Sequence, residues 1–150
     1  MTEKEAVYKS NLQILFSDLR QAVNDYIGYG HTNGEVKYIN AYLMAVLGAI
    51  AAYKDTVLKG QKESDEIKAC KYANNMLKHD PSIITPMVPS GGATFPISFP
   101  IVIPKIDVVW KWQDLQADHP DQKEAFKKWF VGKPVLDTLQ VVLTHLGIDI

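Results

Sequence analysis

This chain of 150 residues has a single cysteine, Cys70. It makes no internal disulfide, and a reducing compartment suits it best. Nor is there an excess of either charge: Lys+Arg 16 against Asp+Glu 17 leave a formal charge of -1. That balance excludes a broadly basic nucleic-acid binder, which needs many phosphate contacts, but it leaves room for a local basic patch. Long apolar runs are missing too. The most apolar stretch, AYLMAVLGAIAAY from Ala41 to Tyr53, is bracketed by Lys37 and Lys54. It is shorter than the roughly 18 residues of a membrane span, so it reads as a buried core helix. MTEKEAVYKS carries no basic region followed by an apolar run, so no secretory signal is expected. The expectation is a cytoplasmic chain with no membrane partner.

Several catalytic signatures are absent as well. No GxSxG elbow occurs, and GYGHTNG and PSGG lack the strand–loop–helix context and the lysine of a phosphate loop. His31, His119 and His145 sit on separate elements without ligand-like spacing, so neither a metal nor another cofactor is expected. No internal repeat or low-complexity tract appears, and the length suits one domain over 1–150.

What is present is helical periodicity. From Thr2 to about Ile27, Leu12, Leu15, Phe16, Leu19, Val23, Tyr26 and Ile27 recur at three and four, and Thr2 with Glu5 predicts a capping box. GYGHTNG then ends the helix. A second helix, about 35–58, carries a bundle seam of Ile39, Leu43, Val46, Ile50, Tyr53 and Val57. Beside the seam runs a second stripe, Tyr38, Tyr42, Ala45, Ala49 and Ala52, with Gly48 next to it. A helix apolar on most sides is central or meets a second subunit, so both stripes are expected to be buried and a homodimer to form there. Ser64 predicts the N-cap of a third helix, which the pair Asp80-Pro81 stops.

Composition then shifts. The span 83–112 holds five of the eight prolines. TFPISFPIVIP alternates with period two and keeps its prolines on one parity, as an edge strand tolerates. PSGG reads as a turn, and Ile106, Val108, Trp110 and Trp112 alternate again. A short helix holding FKKWF follows; its lysines and aromatics suit a membrane surface or nucleic acid, or more plainly docking into the core. The last helix opens at Lys133-Pro134 and is capped by Gly147. The predicted fold is mainly α: a bundle of four to five helices with a small antiparallel β-hairpin or meander between the third helix and the C-terminal helices.

The polar side of the third helix holds the candidate chemistry. At about 100° per residue, Lys68, Tyr72, Asn75 and His79 share one face, and Lys71, Asn74 and Lys78 the adjoining one. Ile67, Cys70, Ala73, Met76 and Leu77 are left to pack on the bundle. Amides, ammonium groups, a phenol and an imidazole can together bind a phosphate and move a proton. The plainer alternative is that Asn75 and His79 only satisfy the last carbonyls of the helix.

The segment ANNMLKHD, Ala73 to Asp80, resembles the end of the motif helix in the HEPN superfamily (higher eukaryotes and prokaryotes nucleotide-binding), which reads Arg-Asn-x-x-x-His within a bundle of four or five helices. The resemblance implies a dimer in which motif residues of two subunits meet. It implies metal-free RNA cleavage in active members, with histidine handling the 2′-hydroxyl proton and arginine holding the phosphate. Asn75 and His79 match; Asn74 stands at the arginine position, and a neutral amide lacks the cationic bidentate grip. Lys71 and Lys78 offer only point charges in its place. The expectation is therefore a non-catalytic, HEPN-like interaction protein related to RNA or nucleotides, in a bacterial or mobile-element defence setting. The alternative is a metal-independent ribonuclease using His79, with Asn75 beside it and Lys71, Tyr72, Asn74 and Lys78 binding.

Overall fold

A computed structural model describes residues 1–28, 35–87, 107–112 and 119–150. Five helices and two strands occur among them, in the order α1 (Glu3–Gly28), α2 (Glu35–Thr56), α3 (Asp65–His79), β1 (Ile84–Met87), β2 (Asp107–Trp110), α4 (Pro120–Trp129) and α5 (Val135–His145). The architecture is the expected helical one, with a small antiparallel sheet between α3 and the C-terminal helices. GYGHTNG beyond Gly28, with His31, lies outside the described residues, as do TFPISFPIVIP and the PSGG turn.

The helix starts follow local chemistry. The Glu5 backbone N–H donates to Thr2 Oγ1 at 3.1 Å, and the Ile67 N–H donates to Ser64 Oγ at 3.3 Å. Each hydroxyl thereby satisfies an otherwise orphaned N–H of a first turn. At the end of α5, Gly147 takes φ +76. Its N–H donates to the Thr144 carbonyl, and that of Ile148 to Leu143. This is the Schellman arrangement, with Ile148 buried as its apolar contact. Gly147→Ala is expected to lower stability by about 1–2 kcal/mol, because a Cβ disfavours the left-handed conformation. A urea titration checks it, and an unchanged midpoint would refute that account of the turn.

α1 lies along α2, α2 along α3, and α3 along α4. Leu12, Phe16, Leu19 and Val23 of α1 meet the α2 seam in the core, where Ile39, Leu43, Val46, Ile50 and Tyr53 are all buried. The second stripe behaves differently. Tyr38 is 55% exposed, Tyr42 37% and neighbouring Met44 46%, and a Cβ placed on Gly48 would meet nothing within 4 Å. Ala49 is buried and Ala45 and Ala52 are half-buried, so the expectation of burial on both stripes fails at the two tyrosines, because α1 and α3 cover only part of this helix. The AYLMAVLGAIAAY stretch is also embedded in a longer helix than its own length implied. Val36–Thr56 is long and apolar enough to cross a membrane, and less than half of its most apolar window is buried.

The sheet departs from the alternating pattern. β1 pairs with β2 in the register Ile84↔Trp110 to Met87↔Asp107. β2's other edge meets the α4–α5 connection: the Trp110 N–H donates to the Lys133 carbonyl at 3.1 Å, and the Gly132 N–H donates to the Trp110 carbonyl at 2.9 Å. Val108, Val109 and Trp110 are consequently all buried, where alternation had suggested one wet face.

Candidate functional site

α3 positions the residues singled out by sequence, and its neighbours decide which remain accessible. The core side is as expected, with Ile67, Cys70, Ala73, Met76 and Leu77 buried. The polar side is split by α4. Lys68 Nζ lies 3.7 Å from Asp121 of α4. Tyr72, expected on the accessible face, is fully buried, its ring stacked on Trp112 at 6.3 Å and tilted against Phe126 at 5.1 Å. A phenol ring carries enough apolar area to seed a helix contact, and α4 docks on it. Tyr72 therefore offers no binding surface.

The remaining candidates cluster at the C-terminal end of α3. His79 is its last residue and is exposed, as is Lys78; Asn74 and Asn75 are half-buried. The following turn is closed locally, with the Asp80 N–H donating to the Met76 carbonyl at 2.7 Å and Asp80 Oδ1 accepting from the Ser82 N–H. Lys71 is drawn away, its Nζ 2.7 Å from Glu63 and 3.8 Å from Asp55. Lys78 is thus the cation left beside His79 without a carboxylate within 4 Å among the described residues. That end can offer an imidazole, two amides and one ammonium to an anion, but no bidentate cation.

Cys70 is not a nucleophile in this setting. Burial, with a smaller contribution from Glu66, raises its thiol far above the ordinary range. We expect no maleimide labelling of the native chain and rapid labelling in denaturant. Above about pH 8.5 the unfolded chain ionises this thiol while the fold keeps it protonated. The unfolded state then binds fewer protons, so this contribution to stability declines as pH rises.

A second feature escaped the sequence reading. A groove of about 520 Å³ runs along α5, lined by Trp129, Phe130, Lys133, Pro134, Asp137, Val141, His145 and Glu66 of α3 among others. His145 Nδ1 and Glu66 Oε1 are 3.3 Å apart at its end. Asp137, Val141 and His145 recur every fourth residue on α5, a signal the apolar face of that helix obscured. FKKWF borders the groove. Phe126 and Phe130 dock into the core, while Trp129 stays 37% exposed with Lys128 and Lys133 at its ring. Among the described residues, no group of three or more His, Cys, Asp or Glu is placed to hold a metal. Comparison with protein-family models, curated proteins and solved structures finds no match to this chain.

Proposed function

We propose that this chain is a non-catalytic, cytoplasmic interaction protein of HEPN-like type, homodimeric through the outer face of α2, with RNA or a nucleotide as the ligand class for the end of α3. The observation that carries the reading is the open side of α2, where Tyr38, Tyr42 and Met44 stand in water on an otherwise apolar helix. Contiguous apolar surface of this kind marks an interaction site, since covering it is worth about 25 cal/mol per Å². The ion pairing of Lys71 supports the non-catalytic part, because it removes a cation from the place where the motif's arginine is missing. Light scattering on the purified chain is the test. A dimer is expected, and a monomer at every concentration overturns the reading.

The ribonuclease reading rests on one observation of its own, the exposed imidazole of His79 at the end of α3. The expected result is no cleavage of single-stranded RNA by the parent chain, with or without chelator. Cleavage that survives chelation and disappears in His79→Ala would establish that reading instead.

A further inference from the structure

We infer that two copies pair through α2 in antiparallel orientation, about a two-fold axis near Ala45. The inference rests on the homodimer reading above and assigns its geometry. The open face of α2 is polar in its layout. Large side chains, Tyr38 and Tyr42, stand in its N-terminal half, while its C-terminal half offers only the small, half-buried Gly48 and Ala52, Ala49 being buried in the core. An accessible charge of opposite sign marks each end. Lys37 is exposed at the start with its Nζ 5.4 Å from the Tyr38 ring, and the Asp55 side chain is 67% exposed at the end, 3.8 Å from Lys71.

A two-fold axis perpendicular to both helices brings residues of opposite height and equal angular offset together. With about 100° and 1.5 Å per residue, centring on Ala45 sets Tyr38 on Ala52 and Ala41 across from Gly48. The same operation carries Lys37 to the side and height of the partner's Asp55, twice by symmetry. Side-chain size and charge thus match in one step, and the helix dipoles oppose. Parallel pairing does the reverse. It would set Tyr38 on Tyr38, Lys37 on Lys37 and Asp55 on Asp55, leaving a void at Gly48. An isologous face selects against the orientation that meets like with like.

Single-cysteine variants on a Cys70→Ser background distinguish the outcomes, because a disulfide needs Cα atoms within about 7 Å. Ala41→Cys and Gly48→Cys chains are mixed under mild oxidation, with sedimentation recording mass and circular dichroism the helix content. Antiparallel pairing predicts a disulfide between the two variants in the mixture and none from Ala41→Cys alone. A dimer that cross-links through Ala41→Cys alone, or in neither case, overturns the pairing and leaves the homodimer reading standing. Monomers throughout remove both. As a second readout that needs no cysteine, Lys37→Glu is expected to weaken the dimer by about tenfold or more, and adding Asp55→Lys to restore it. Absence of that rescue, with both variants folded, counts against the antiparallel geometry. Recovery of the parent chain with floating neutral phospholipid vesicles, in place of a dimer, would assign the face to a bilayer and overturn the inference.

Discussion

Phe126→Ala is expected to lower the unfolding free energy by about 3–5 kcal/mol, a large part of the roughly 5–15 kcal/mol that holds a domain folded. Phe126 is fully buried, and its ring meets Tyr72 at 5.1 Å, Trp110 at 5.8 Å, Phe130 at 5.8 Å and Trp112 at 6.4 Å. These five rings join α3, β2 and α4 together with the residues just after β2 and α4, and no other described cluster links as many elements through aromatic contacts. Truncation leaves a cavity that rings on different elements cannot jointly collapse to fill, so the loss should sit near the top of the range. Trp129→Ala on the same helix is the control. Its ring is 37% exposed, with Lys128 and Lys133 over it, so a smaller change, on the order of 1 kcal/mol, is expected. Urea unfolding followed by circular dichroism measures both. Equal effects of the two substitutions would mean that α4 is not anchored by the inward face of FKKWF.

Leu43→Asp is expected to abolish folding at ordinary temperature. Leu43 is completely buried at the α1–α2 seam, and the substitution places a carboxylate there without a cation. An unpaired buried charge of this kind belongs to the most destabilising class of substitution, above about 4 kcal/mol. Tyr42 is the adjacent residue and points outward. Tyr42→Asp should therefore keep the full helical spectrum while Leu43→Asp loses it. Adjacent positions with opposite outcomes would locate the boundary between the core of one chain and its outer surface. If both variants stay folded, the seam does not carry the stability assigned to it.

The helices were legible because their information is local. The spacing of Leu12, Phe16, Leu19 and Val23, the hydroxyls of Thr2 and Ser64, and the glycine at 147 act within a turn or two of their own position. The core side of α3 was legible for the same reason. What could not be read depended on partners far along the chain. Tyr72 looked polar because a phenol counts as either, and only the docking of Phe126, 54 positions later in sequence, decides that its ring is inside. β2 was expected to alternate, but the hydrogen bonds from the 132–133 connection make it an inner strand with no wet face. The outer stripe of α2 was recognised as apolar, yet periodicity alone cannot say whether the same chain or another one covers it. At the candidate site, the exposure of His79 and Lys78 follows from their place at the end of a helix. The diversion of Lys71 to Glu63 and Asp55 needed the fold.

Sedimentation equilibrium of the parent chain beside Tyr42→Asp, over concentrations spanning on the order of 1–100 μM, tests the central claim most directly, since a specific contact of micromolar affinity resolves in that range. The parent should approach twice its chain mass of 16.8 kDa as concentration rises. Tyr42→Asp, with unchanged helix content, should remain at the single-chain mass. A parent that stays at 16.8 kDa throughout, or a variant that associates as tightly as the parent, would contradict an interaction protein built on the open face of α2.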